Sequence, residues 1–185
     1  MKHSRLFLSS ALMVMFLLLS PSAYAEPVPE YQMKAAYLYN FALLTSWPAG
    51  LDYESNKKLE AYKSVKICVL GDDSFGGALQ QLTRNSSSNI RITLSYLANM
   101  NNVQDCQILF IDVSTLDNPT AMLKKLEKTP VLTVTDNLDL FNAGAMIGVF
   151  LENKRLVFDV NYTQISNAQL SMSSKLLRVA RKVLQ

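Results

Sequence analysis

The side chains that could do chemistry in this chain are carboxylates, because its 185 residues include one histidine, and that is His3. A Ser-His-Asp or Cys-His arrangement and a histidine metal site all need imidazole in the folded part of the chain. A hydrolase would therefore depend on paired carboxylates, for which the candidates are Asp72, Asp73, Asp136 and Asp159. Their spacing does not favour such a pair. We predict that the protein is not an enzyme and has no catalytic residue, metal ligand or cofactor.

The first 25 residues predict an export signal. Lys2 and Arg5 precede an apolar run, and Ala23-Tyr24-Ala25 has the A-x-A pattern of a cleavage site. The apolar run is short for a bilayer span, which needs about 20 residues. We expect cleavage between Ala25 and Glu26, which leaves one exported domain of residues 26–185.

The exported part keeps two cysteines, Cys68 and Cys106. An even count in an exported protein suggests a disulfide, and two buried free thiols are the alternative. Residues 26–185 contain 16 basic and 15 acidic side chains, with no basic stripe between aromatic residues. We therefore expect no nucleic-acid partner.

Residues 130–161 organise the predicted fold. Residues 131–135 and 145–151 are apolar runs typical of buried strands, and residues 156–161 alternate between apolar and other side chains. The polar residues 152–155 predict a hairpin between the last two strands. Strands that are apolar on both faces need cover on both faces, so this stretch belongs inside a sheet.

Four polar residues stand at the ends of these strands. We predict that they are anchors of the fold, and that Arg155 and Asp159 bond loop backbone rather than a partner. The four are Asp136, Arg155, Asp159 and Asn161.

Helices and strands alternate through the rest of the chain. The predicted helices are 30–47, 75–83, 119–127, 162–169 and a last helix that follows Ser173-Ser174, and the other strands are 65–70, 90–97 and 107–112. Residues 51–63 are predicted to form a surface loop or a short helix, and residues 85–89 are predicted to form a linker. This order predicts an α/β fold, a single-domain, Rossmann-like sandwich with a mixed, mostly parallel sheet and helices on both faces. If strands 90–97 and 107–112 flank strand 65–70, Cys68 and Cys106 could meet.

The predicted helix 30–47 has no charge between Lys34 and Trp47. It ends there because Pro48 disfavours the helical state of the residue before it. A chargeless helix is either buried on most sides or part of an interface. In the second case it would offer these residues to a partner: Tyr37, Tyr39, Phe41, Leu44 and Trp47.

The turn Gly71-Asp72-Asp73-Ser74 joins a strand to a helix, which is a common ligand position in α/β proteins. Its carboxylates suit the positive end of a helix and would repel a phosphate, so a capped helix start explains the turn. A small-ligand sensor remains the alternative function, with its ligand in the crevice beyond Gly71 and Asp136.

The sequence resembles the YfiR-like periplasmic proteins over nearly the whole exported part. The resemblance lies in stretches that follow each other in the family's order: AAYLYNF at 35–41, SWP at 46–48, ICVLGDD at 67–73, LTVTD, FNAGAMI and NKRLVFDVN within 132–161, and LSMSSKLL at 170–177. The family usually carries Gly-Gly-Met-Ile where this chain has Gly144-Ala145-Met146-Ile147. Ala145 must therefore take a backbone conformation that a Cβ allows.

The resemblance implies a function, a location and partners. YfiR-like proteins act in the periplasm, where they bind the periplasmic part of an inner-membrane diguanylate cyclase and hold it inactive, which lowers cyclic-di-GMP and biofilm formation. An outer-membrane, peptidoglycan-binding protein sequesters them and so releases the cyclase. The resemblance also favours a Cys68–Cys106 disulfide and an α/β sandwich, and it leaves a homodimer open.

Overall fold

The structure is a computed structural model that describes residues 30–48, 63–84 and 90–185. The predicted signal peptide with its Ala25–Glu26 cleavage site, most of the 51–63 loop and the 85–89 linker lie outside the described residues. The helices are α1 Glu30–Leu44, α2 Ala78–Arg84, α3 Pro119–Lys124, α4 Leu138–Asn142, α5 Tyr162–Asn167 and α6 Ser174–Leu177. The strands are β1 Thr45–Ser46, β2 Lys63–Leu70, β3 Ile90–Leu97, β4 Ile108–Ile111, β5 Leu132–Thr135, β6 Ile147–Glu152, β7 Arg155–Asn161, β8 Ser171–Met172 and β9 Lys182–Leu184.

A seven-stranded sheet forms the centre, in the order β3-β2-β4-β5-β6-β7-β9. Every neighbouring pair is parallel except the antiparallel hairpin of β6 and β7. The prediction of an α/β sandwich with a mixed, mostly parallel sheet is confirmed. Strands β4 and β5 are buried along their whole length, which explains their unbroken apolar or threonine sequence.

Helices cover both faces of the sheet, and each face has its own core. Leu38 and Phe41 of α1 pack on one face with Ile67, Phe110 and Val134, while Leu123 of α3 and Leu140 of α4 pack on the other with Leu109. The alternation of side chains along each strand supplies both cores.

The order of the first strands brings the two cysteines together. Strands β3 and β4 flank β2, which is the arrangement that would allow the two cysteines to meet, and Cys68 and Cys106 form a disulfide with a Cα–Cα distance of 5.9 Å. The bridge closes a loop with a sequence separation of 38 residues. For a loop of this size, chain entropy alone predicts a stabilisation of about 4 kcal/mol.

Helix α1 ends at Leu44, three residues before the predicted end at Trp47. Thr45 and Ser46 leave the helix to pair with Met172 and Ser171 in a small antiparallel sheet. The amide of Ser173 also donates to the carbonyl of Leu44 at 2.8 Å. Long-range pairing, and not only Pro48, therefore ends the helix.

The predicted last helix is wrong beyond Leu177. Its final residues form β9, which pairs in parallel with β7. The backbone N–H of Arg181 donates to the Phe158 carbonyl at 2.8 Å, and its side chain donates twice to Asp159, at 2.8 and 2.6 Å. The apolar spacing of residues 176–184 is typical of a helix, but backbone pairing with β7 and the ion pair with Asp159 hold the end of this stretch in a strand. Arg181 thus lies directly before β9 and outside any helix.

We expect Arg181→Ala to lower the free energy of unfolding by about 2 kcal/mol or more, because it leaves the buried Asp159 carboxylate without its cation. The loss should stay below that of a fully buried pair, because the Arg181 side chain is 35% exposed. Urea denaturation measures the change. Arg178→Ala removes an exposed cation nearby and should change stability by less than about 0.5 kcal/mol. Equal losses in both variants would mean that Arg181 does not anchor β9.

Candidate functional site

Strands β2, β4 and β5 end at the same edge of the sheet, and their next residues, Gly71, Asp112 and Asp136, meet there. The chain runs outward from β2 to β3 and then returns to β4 on the other side. In open α/β sheets, this reversal opens a crevice at the carboxyl ends of the strands, where ligands bind. The edge is therefore the first place to look for a functional site.

Asp112 lies in this crevice with little exposure to solvent. One carboxylate oxygen accepts from the Ser114 backbone N–H at 2.9 Å and from its hydroxyl at 2.6 Å, while the other accepts from the Ser74 hydroxyl. Burial alone would raise the pKa of Asp112. The hydrogen bonds from Ser114 and Ser74, together with the charge of Lys34, outweigh it and hold the pKa below its ordinary value.

Lys34 reaches the same edge from the first turns of α1, and its side chain is only 4% exposed. The ammonium group donates to Asp136 at 2.6 Å, pairs with Glu30 one turn earlier, and lies 4.2 Å from the centre of the Tyr31 ring. Burial alone would lower the pKa of Lys34. The bonds to Asp136 and Glu30 outweigh burial and raise it. The ion pair thus fixes the start of α1 across the ends of the strands.

A groove with a volume of about 270 Å³ lies beside this cluster, between the start of α1 and the turn before α2. Its lining is Glu30, Tyr31, Gln32, Ser74, Phe75, Gly76, Ala78 and Gln81. The adjoining ionisable groups are mostly carboxylates, and the one ammonium between them is already paired. The groove therefore disfavours anionic ligands. Among the described residues, no group of three or more His, Cys, Asp or Glu side chains could hold a metal ion.

The family of the chain follows from comparison with known proteins. A family model described as YfiR/HmsC-like matches residues 31–181. The chain belongs to the YfiR/HmsC-like family. Curated proteins offer no match. The family is periplasmic and its members are regulators rather than enzymes. None of the helices in the described ranges combines the length and apolar content needed to cross a bilayer.

Two solved structures are similar in fold. A conserved domain protein from Vibrio cholerae O1 biovar El Tor matches with a TM-score of 0.50 and 11% identity, over 84% of this chain and 60% of that one. An ABC domain from Streptococcus pneumoniae, in complex with L-Trp, matches with a TM-score of 0.44 and 8% identity, over 65% and 55%. This chain spans less than two thirds of either protein. At such identity the first likeness shows the fold alone.

The polar residues predicted as anchors of this YfiR/HmsC-like fold do not form one site. Asp136 bonds Lys34 at the crevice, whereas Asp159 bonds Arg181 on the far strands. The prediction that Asp159 bonds loop backbone is therefore corrected, because a guanidinium takes both of its oxygens. Asn161 caps α5 by accepting from the Gln164 N–H at 3.3 Å. Arg155 is exposed at the start of β7.

The structure also shows which of the predicted contact residues of α1 are accessible to a partner. Phe41 and Trp47 are 0% and 5% exposed and belong to the core, so they offer no surface to a partner in this fold. Tyr37 is half-buried, and its hydroxyl donates to the Leu156 carbonyl at 3.0 Å. Tyr39 and Leu44 are also half-buried. Partner contact stays a prediction for these three residues.

The carboxylates considered for hydrolysis are spread over three places. Asp72 and Asp73 are exposed in the turn after β2, where Asp73 accepts from the Phe75 N–H at 3.1 Å.

Sequence reasoning missed Lys34 and Asp112 as parts of the site. Both carried a signal: Lys34 is the last charge before the chargeless part of α1, and Asp112 ends the run Ile-Leu-Phe-Ile.

We expect Asp112→Asn to lower the free energy of unfolding at pH 7 by about 2 kcal/mol, because hydrogen bonds to a buried charge are lost. Since the folded state lowers the pKa of Asp112, its stabilisation is full above the ordinary carboxyl pKa and is lost as pH falls below it. The difference between wild type and variant should therefore shrink from pH 5 to pH 3. Urea titrations across this range measure it, with the exposed Thr115→Ala as the control. A difference that stays constant with pH would contradict the assignment.

Proposed function

We propose that this protein represses an inner-membrane diguanylate cyclase by binding its periplasmic part, so that cyclic-di-GMP and biofilm formation stay low. The observation that carries the proposal is the YfiR/HmsC-like family match over residues 31–181. Cleavage between Ala25 and Glu26 would deliver residues 26–185 to the periplasm. An outer-membrane, peptidoglycan-binding protein would release the cyclase by sequestering the repressor.

The outward side of α1 supports a role in adhesion. No charged residue follows Lys34 in this helix, and Tyr39, Leu43 and Leu44 are half-buried on the fold rather than fully covered. The cores of protein interfaces are poor in charge and rich in tyrosine. We assign Tyr39 and Leu44 to the contact with the cyclase, with Tyr37 behind them.

Repression requires more than binding. A protein can hold the cyclase inactive only if it binds the inactive conformation more tightly than the active one. Sequestration by the outer-membrane protein then acts by mass action, because it lowers the concentration of free repressor. Neither step needs bond-making chemistry in the repressor itself.

A strain without this protein should contain several times more cyclic-di-GMP than wild type. Wild-type protein and Leu138→Glu should restore the low level, because Leu138 is an exposed apolar residue of α4 on the opposite face of the sheet. Tyr39→Glu should fail, because it places a charge in the assigned contact. Periplasmic abundance and melting temperature of each variant separate lost contact from lost folding. Unchanged cyclic-di-GMP on deletion would contradict repression.

The second candidate is a periplasmic small-ligand sensor, and the groove beside Lys34 favours it. The groove lies at the strand ends where α/β proteins hold ligands, and Tyr31 and Phe75 give it aromatic walls. Native mass spectrometry of protein from the periplasm should then find a bound small molecule. Protein that carries none, and whose melting temperature a periplasmic metabolite extract leaves unchanged, would exclude this function.

A further inference from the structure

The C-terminal part of the chain is strongly basic. Residues 151–185 contain six basic and two acidic side chains, whereas residues 26–150 contain ten basic and thirteen acidic ones. Both acidic residues of the C-terminal part, Glu152 and Asp159, bind Arg181. Five exposed cations are left, and none pairs with a described acidic residue: Lys154, Arg155, Lys175, Arg178 and Lys182.

Arg181 links the C-terminal segment to the hairpin that carries Lys154 and Arg155. Its guanidinium lies 3.3 Å from Glu152 in the β6–β7 hairpin and 5.4 Å from the Phe150 ring, and Lys175, Arg178 and Lys182 lie within six residues of Arg181 in the chain. Lys182 pairs with Asp159 across β9 and β7, and Arg155 stands four residues before Asp159. Arg155 and Lys182 therefore point to the same face of the sheet. We call the five cations the C-terminal basic surface.

Two exposed apolar side chains accompany this surface. Val179 is 70% exposed next to Arg178, and Leu151 is 51% exposed at the end of β6. Interfacial membrane anchors combine apolar side chains at their tips with lysine and arginine around them.

We propose that the C-terminal basic surface docks the protein on an anionic phospholipid bilayer. Lysine is depleted in protein–protein interfaces, and the described part of this surface exposes no tyrosine or tryptophan, so its composition fits lipid headgroups better than a protein partner. Lysine and arginine near an anionic membrane each strengthen binding. The acidic remainder of the chain would face away from the membrane and so orient the protein.

Docking goes beyond the proposed repression, because it needs no cyclase. A bilayer would collect the protein near any membrane-anchored partner and raise its effective concentration there. A test with pure lipid therefore fails or succeeds independently of the proposed function.

The test is sedimentation of protein from the periplasmic fraction with vesicles of phosphatidylglycerol and phosphatidylcholine, and with vesicles of phosphatidylcholine alone. We expect binding to the anionic vesicles only, and weaker binding as salt rises. The triple variant Lys154→Glu, Lys175→Glu, Arg178→Glu should bind on the order of a hundredfold more weakly, because each basic residue contributes about fivefold.

A matched control has the same change in charge. The control is the triple variant Lys124→Glu, Lys125→Glu, Lys128→Glu. In both triple variants, two of the changed residues lie in or beside a short helix and the third is a lysine in a left-handed turn. The two turn lysines, Lys128 and Lys154, both have a φ of 63°. This control should bind vesicles at least ten times more tightly than the first triple variant. Equal losses would mean that only net charge matters, which overturns the proposal.

The apolar side chains have their own control. Val179→Ser should weaken vesicle binding several-fold, and Tyr96→Ser, at a residue 40% exposed on β3 at the opposite edge of the sheet from β9, should leave it unchanged. Failure of the wild-type protein to bind anionic vesicles overturns the proposal. In that case, if the first triple variant loses binding to the periplasmic part of the cyclase, the surface is a protein contact instead.

Discussion

A buried ammonium group must keep its anionic partners, and this requirement fixes α1 on the sheet. The side chain of Lys34 is almost fully buried, and its counterions are Asp136 and Glu30. Removing Asp136 would leave the buried ammonium group without its counterion at the strand ends, which is strongly destabilising. Because α1 also places Leu38 and Phe41 in the core, one ion pair couples the polar crevice to the packing of a whole face.

The strands of the central sheet could be predicted from sequence because burial on both faces leaves an unmistakable pattern. Residues 108–111 and 132–135 are apolar or threonine throughout, and the polar reversal before Arg155 marks the hairpin. The C-terminus could not be predicted in the same way. Residues 176–184 have the spacing of a helix, but their end forms a strand that pairs with the distant β7 and is bonded to Asp159 through Arg181.

The candidate site shows the same limit. Asp136 could be predicted from its place at a strand end, and the disulfide from the even number of cysteines in an exported chain and from the family resemblance. The partner of Asp136 could not, because Lys34 lies 102 residues earlier in the chain and no local pattern links the two. Phe41 and Trp47 were misplaced for a related reason. A chargeless helix does not reveal which of its sides faces the core, and that depends on where the helix is anchored.

The position of Trp47 gives the molecule an internal optical reporter. It is the one tryptophan in the sequence, it is buried, and its indole N–H donates to the carbonyl of Gln107 at 3.1 Å, one residue from the disulfide. Its emission therefore comes from the junction between the end of α1 and the entry to β4. Fluorescence can follow the attachment of the N-terminal helix without any label, and oxidation of Cys106 takes place within range of the same chromophore.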